Sequence, residues 1–161
     1  MLHSDSTPVQ GLGKSVLLGG GASGILSIFP GLNLLNLFFM TWIVLGAALT
    51  VYLLYRENPV LRRGDASLAG ALSGLLGGGV FAIFGMASVA GITQEKLDRM
   101  VESARALAPF LAGSEAASMT VGSFKAMMIV AICLFLLLAI AAGAVAGLVA
   151  KAVFRPRPDR P

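Results

Sequence analysis

The stretch SVLLGGGASGILSIFPGLNLLNLFFMTWIVLGAALTVYLLY, Ser15 to Tyr55, decides the fold class. It contains no Asp, Glu, Lys or Arg. As one helix it would run roughly 60 Å at 1.5 Å per residue, about twice the hydrocarbon thickness of a bilayer. The stretch must therefore fold back on itself. Pro30-Gly31-Leu32-Asn33 marks the place, because Pro30 biases Phe29 away from the helical region and Gly31 accepts the dihedrals of a tight reversal. The reading is a transmembrane helical hairpin with arms over about residues 13–29 and 34–55. The first arm is short for a span, and a cleaved signal sequence ending near Ala22-Ser23-Gly24 competes with it. The weakly basic leader and the second apolar run directly after the turn argue against cleavage.

The second arm carries interfacial anchors. Trp42 lies a little inside one end, while Tyr52, Tyr55 and Arg56 lie at the other, where amphipathic rings and snorkelling cations are favoured. Asn33 and Asn36 at the turn read as caps of free backbone groups.

Beyond the hairpin, Arg56 to Asp65 reads as a water-exposed loop, and a third uncharged run predicts a span over about residues 67–92, with Asp65 or Ser67 capping its start. The segment from Thr93 to Gly113 changes character. Leu97, Met100, Val101, Ala104, Leu107, Ala108 and Leu111 recur at three- and four-residue steps among Glu95, Lys96, Asp98, Arg99, Glu102 and Arg105. This predicts an amphipathic helix over about residues 94–112, capped by Thr93 and stopped by Gly113. Its charged face keeps it out of hydrocarbon. A small-residue connector follows, then a fourth span over residues 126–150, closed by Lys151. Residues 1–13 form a polar leader, and residues 151–161 form a basic, Pro-rich tail read as an extended arm.

Composition agrees with lipid as the main solvent: 57% of the 161 residues are hydrophobic and 12% charged, where a soluble domain carries about a quarter charged. The net charge of +4 is read through its distribution across the membrane, and no nucleic-acid partner is expected. Lys14, Arg56, Arg62, Arg63, Lys151, Arg155, Arg157 and Arg160 fall on one side of a four-span chain, and Lys96, Arg99, Arg105 and Lys125 on the other. The positive-inside rule then places both termini in the cytoplasm and the turn at Pro30–Asn33 outside, in a bacterial inner membrane. Arg62, Arg63, Lys151, Arg155, Arg157 and Arg160 are the residues expected at the lipid surface.

The main motif is small residues four apart: Gly20 and Gly24; Gly70, Gly74 and Gly78; Gly143 and Gly147, with Ala139 beside them. Lipid supplies little hydrophobic drive for helix association, so close backbone approach along such stripes holds helices together. The stripes serve contacts within the bundle or contacts to other transmembrane helices. The hairpin is the expected partner of the Gly70, Gly74 and Gly78 face. Gly20-x-x-Ser23-Gly24 also echoes Gly70-x-x-Ser73-Gly74 at an offset of fifty, a match short enough to arise from a small alphabet.

Catalysis has little to work with. No Ser-His-Asp set, paired intramembrane carboxylates, zinc-protease motif or phosphate loop is present in the sequence. His3 has no second ligand type near it and the single cysteine, Cys133, reads as a small buried hydrophobe, so neither metal nor cofactor is expected. No ionisable group lies within the four span cores, and their hydroxyls are expected to bond their own preceding turns.

The order of Pro30-x-Leu32-Asn33 turn, Trp42-bearing second span, Arg63-Gly64-Asp65 loop and glycine-rich third span resembles uncharacterised small four-helix membrane proteins of bacteria and archaea, over roughly residues 20–80. That resemblance implies no activity. The sequence thus predicts an all-α integral membrane bundle of four transmembrane helices, with an extramembrane amphipathic helix between the third and fourth. Its expected role is that of a non-enzymatic structural or accessory subunit; the alternative is a small oligomeric channel or transporter.

Overall fold

The computed structural model describes residues 9–29, 40–107 and 120–154, less the side chains of Ala104, Arg105 and Leu107. Among the described residues are five helices and no strand: α1 (Leu12–Ile28), α2 (Thr41–Glu57), α3 (Arg63–Ala90), α4 (Gln94–Leu107) and α5 (Val121–Val153). At 28 and 33 residues, α3 and α5 are long and apolar enough to cross a membrane. The apolar α1 and the more polar-ended α2 have 17 residues each, or about 26 Å. The turn at Pro30–Asn33, Asn36, His3 and Gly113 lie outside the described residues.

The helix ends differ from those the uncharged runs predict. Met40, with φ 48, precedes α2, so the helix begins at Thr41 instead of near Leu34 and Trp42 falls in its first turn. At its other end Arg56 and Glu57 complete the last turn, and Asn58 donates its backbone N–H to Leu54 O at 2.9 Å. The next helix starts at Arg63, taking Arg63, Gly64 and Asp65 out of the predicted loop. Asp65 acts from inside the first turn, where its Oδ2 accepts the Arg62 N–H at 3.2 Å, the backward half of a capping box. α5 begins at Val121 behind a reciprocal pair: Ser123 N–H bonds Thr120 Oγ1, and Thr120 N–H bonds Ser123 Oγ, both at 3.2 Å. Lys125 is therefore a helical residue. An uncharged run does not fix a helix end: α2 starts inside one, after the reversed dihedral of Met40, whereas α3 and α5 take in charged residues and begin where their caps lie.

The chain forms two compact units. The first comprises α1, α2, α3 to Phe81 and α5 from Phe135. Its core joins Val51 and Leu54 of α2, Leu61, Ala66 and Ala69, and Ala150 of α5, with Val9, Leu12, Ala48 and Tyr55 packed against it. The rings of Phe81 and Phe135 stack at 4.6 Å.

The second unit, Ala82–Leu134, holds the end of α3, all of α4 and the start of α5. Ala82, Val89 and Ile132 form its core, with Met128 against them. Thr93 caps α4, accepting the Lys96 N–H on Oγ1 at 3.4 Å. Gln94 ties two helix starts together, accepting the Val121 N–H at 3.1 Å and donating to Asp98 at 2.9 Å. Lys125 and Lys96 donate to the carbonyls of Ala90 and Gly91 at 3.1 and 3.2 Å. Cations are favoured there because the last carbonyls of α3 have no helical partner and carry the negative end of its dipole.

Candidate functional site

The unusual surfaces of the first unit are its helix seams. α1 buries Ser15, Gly19, Gly20, Ser23, Gly24 and Ser27 and turns Leu17 and Ile25 outward at 65% and 58% exposure. A helix docked in a water-soluble protein buries its leucines. Here small residues go inside, because what α1 gains from its neighbours is close backbone approach.

Two seams leave α1. Toward α2, a Cβ on Gly19 would strike Thr50 Oγ1 and the Gly46 carbonyl, while one on Gly46 would come within 2.6 Å of the Gly19 carbonyl. Thr50 Oγ1 lies 2.9 Å from Gly46 O and 3.2 Å from Ser15 O, so a single hydroxyl serves its own helix and the neighbouring one. Toward α3, a Cβ on Gly20 would lie 2.8 Å from the Ser73 carbonyl, and one on Gly24 2.8 Å from Val80 Cβ. From the α3 side, Gly77 leaves room for Ser23 Oγ.

A third seam joins α3 to α5. A Cβ on Gly70 would fall on the Gly143 carbonyl, and one on Gly143 on the Gly70 carbonyl; Gly147 lies against Ala66 in the same way, and Gly74 against Ala139. Gly78 meets the Ala139 methyl, at 2.9 Å from a built Cβ. The expected pairing of Gly70, Gly74 and Gly78 with the hairpin is therefore corrected: they face α5, and Ser73 and Gly77 face α1. The echo at offset fifty has no structural counterpart, since Gly20 and Gly24 face α3 whereas Gly70 and Gly74 face α5.

Hydroxyls along the apolar helices bond carbonyls one turn back: Ser23 to Gly20 at 2.8 Å, Ser27 to Ser23 at 2.7 Å and Ser88 to Phe84 at 2.8 Å. Ser73 Oγ is an exception among the described residues, buried in the α1–α3 seam with no partner.

Basic residues gather where α1 begins, α2 ends, α3 begins and α5 ends. Lys14, Arg56 and Glu57 border a cleft of about 330 Å³, and Arg63 and Lys151 another of about 300 Å³. Asn58 Nδ2 donates to Gln10 O at 2.8 Å, holding the entry to α1 against the end of α2. The Glu57 carboxylate lies over Gly11, the N-cap of α1, whose φ of 75 favours glycine. A negative group suits that position because the first amides of the helix are free. Arg62 is exposed, Tyr55 packs against the core and the Tyr52 ring lies 5.3 Å from that of Phe154. Trp42 is half-buried. Arg155, Arg157 and Arg160 lie outside the described residues.

An apolar groove of about 620 Å³ runs between α2 and α5. Met40, Val44 and Ala48 of α2 form one wall, and α5 from Leu138 to Phe154 forms the other.

Sequence reasoning gave Gly19, Gly46, Thr50 and Gly77 no place in a helix seam, and it read Ser73 only as part of the offset-fifty echo. A signal for two of them was present, since Gly46 is the lone glycine of α2 and Thr50 follows it by four, a small-xxx-small pair. Cys133 corrects an expectation: it is exposed, while its neighbour Ile132 is the residue of that turn packed into the core. Among the described residues no group of three His, Cys, Asp or Glu could hold a metal ion. Comparison with protein-family models, with curated proteins and with solved structures gives no match.

Proposed function

We propose that this chain is a non-enzymatic integral membrane protein of the cytoplasmic membrane that serves as a structural or accessory subunit. In this reading α1, α2, α3 and α5 span, both termini are cytoplasmic and α4 lies in water on the other side. The observation that carries it is the burial pattern of α1: serine and glycine inside, leucine and isoleucine outside. That pattern is stable where lipid surrounds the bundle and costly where water does. The 17 residues of α1 and α2 are at the lower limit for a span, and the basic residues gathered at one end suit the cytoplasmic face.

The glycine stripes are occupied within the chain. Contacts to partner helices therefore fall to the outer apolar faces, such as Leu134, Leu137 and Val145 of α5, all exposed. The channel or transporter reading draws on serine and threonine hydroxyls, and those of Ser23, Ser27 and Thr50 are buried and bonded to carbonyls.

Topology is tested in a Cys133→Ser background by adding Ser4→Cys or Ser114→Cys and labelling intact cells with a membrane-impermeant maleimide. Label on position 114 alone is expected; equal labelling of both sites sinks the four-span model. Blue-native electrophoresis of gently solubilised membranes tests the subunit role, with migration above the bare monomer expected.

A further inference from the structure

We propose that the cleft between the start of α1 and the end of α2 binds a phosphate group. This goes beyond the subunit reading above, because it gives the chain a ligand. Lys14, Ser15 and Leu18 of α1 and Leu53, Arg56 and Glu57 of α2 line a space of about 330 Å³, all within the first compact unit. That volume is at the small end of the range for ligand pockets. Lys14 and Leu18 stand four residues apart on one face of α1, as Leu53 and Glu57 do on α2. Charged groups therefore sit at the outer end of the cleft, and each helix contributes a leucine about one turn, 5.4 Å, further along its axis.

Two independent observations point to an anion with several acceptor oxygens. The first is charge. Lys14 occupies the first turn of α1, where the helix dipole disfavours a cation and no acidic residue shares the turn. Arg56, in the last turn of α2, borders the same cleft. Among the described residues neither cation has an ion pair, whereas Arg99 of α4 is paired with Glu95. The acid of the cleft, Glu57, places its carboxylate over Gly11 at the start of α1, where free amides compensate it. Two cations bordering one cleft repel, and a phosphate between them turns that repulsion into attraction. The second observation is Ser15. It is 2% exposed yet lines the cleft, and among the described residues its hydroxyl has no hydrogen-bond partner. Its carbonyl is already taken by Thr50 Oγ1, and the buried serines further along α1, Ser23 and Ser27, bond carbonyls instead. A buried hydroxyl needs a partner, and a ligand in the cleft supplies one. Phosphate has oxygens enough for the Arg56 fork, the Lys14 ammonium and the Ser15 hydroxyl at once. Leu18 and Leu53 suit the carbon side of a phosphoester.

The test uses the full chain in an uncharged detergent, with short-chain phosphatidic acid, the matching diacylglycerol and inorganic phosphate as probes and binding read by calorimetry. At least one phosphate probe is expected to bind, and the diacylglycerol is not. Lys14→Gln and Arg56→Gln, both at exposed positions, should each weaken binding roughly fivefold. Ser15→Ala keeps the carbonyl that Thr50 uses and should weaken it by about the same factor. Arg62→Gln changes an exposed arginine that does not line the cleft and should leave the affinity unchanged. Inorganic phosphate binding within tenfold of the lipid, or more tightly, supports the site as one for free phosphate; a deficit above tenfold supports it as one for a phospholipid headgroup seated on Leu18 and Leu53. Binding of neither phosphate probe overturns the proposal, as does diacylglycerol binding as well as phosphatidic acid. Equal losses from Arg62→Gln and Arg56→Gln also overturn it, in favour of general surface charge, and so does an affinity unchanged in the Lys14, Ser15 and Arg56 variants alike.

Discussion

α1 and α4 bury opposite kinds of residue. α1 turns serine and glycine inward and leaves Ile25 at 58% exposure; α4 buries Leu97 to 1% and exposes Glu95, Lys96, Asp98 and Arg99. The same chain thus follows two burial rules. α4 behaves as a helix in water, where removing a leucine from solvent drives docking. If lipid surrounds α1, as proposed above, its leucines gain little by moving inside, and contact distance between backbones decides which residues face the neighbours. Hydrophobicity alone therefore finds Leu97 on the inner face of α4, although Met100 of the same predicted stripe is 53% exposed, and mispredicts the inner face of α1.

The strongest way to break this comparison is to put volume into the α1 seam. Gly19→Leu would drive a side chain into Thr50 and the Gly46 carbonyl, both on α2, and a backbone cannot move aside as a side-chain tip can. A loss of about 3 kcal/mol or more is expected, read as loss of the folded bundle in detergent unfolding. Gly21→Ala on the same helix, with nothing within 4 Å of its Cβ, should instead be neutral or stabilising by about 0.5 kcal/mol.

Exposure offers the next test. Ile25 and Met100 are similarly exposed, 58% and 53%. If α1 faces lipid and α4 water, Ile25→Lys should cost about 2.5–3.5 kcal/mol, read as reduced membrane insertion, while Met100→Lys stays within about 0.5 kcal/mol. Equal outcomes for the two would remove the distinction between the helices.

Leu97→Ala should cost α4 about 2–3 kcal/mol and raise amide exchange across Gln94–Leu107 while the α1–α2 seam stays protected. The smallest effect concerns the cap. Thr93→Ala removes the acceptor of the Lys96 N–H, and about 1 kcal/mol of α4 stability should go with it, visible as faster exchange in its first turn alone.

Much of this was legible residue by residue. The period of Leu97 and Val101 against their charged neighbours gave α4, and Thr93 gave its cap. Uncharged runs located the apolar middles of α3 and α5 but not their ends, which Asp65 and the Thr120–Ser123 pair set by bonds no hydropathy pattern carries. The glycine stripes were visible, yet the residues beside them, Gly19, Gly46 and Thr50, make as close a seam.

By itself the sequence determined that this chain is helical, where its apolar lengths lie and that small residues line them. Only the tertiary structure decided which stripe meets which helix. α3 has small residues on two faces, Gly70, Gly74 and Gly78 on one and Ser73 and Gly77 on the other, and both allow close approach. A glycine has no side chain with which to recognise a partner, and dispersion attraction is not directional. The choice of α5 for one face and α1 for the other follows from how all the helices fit at once.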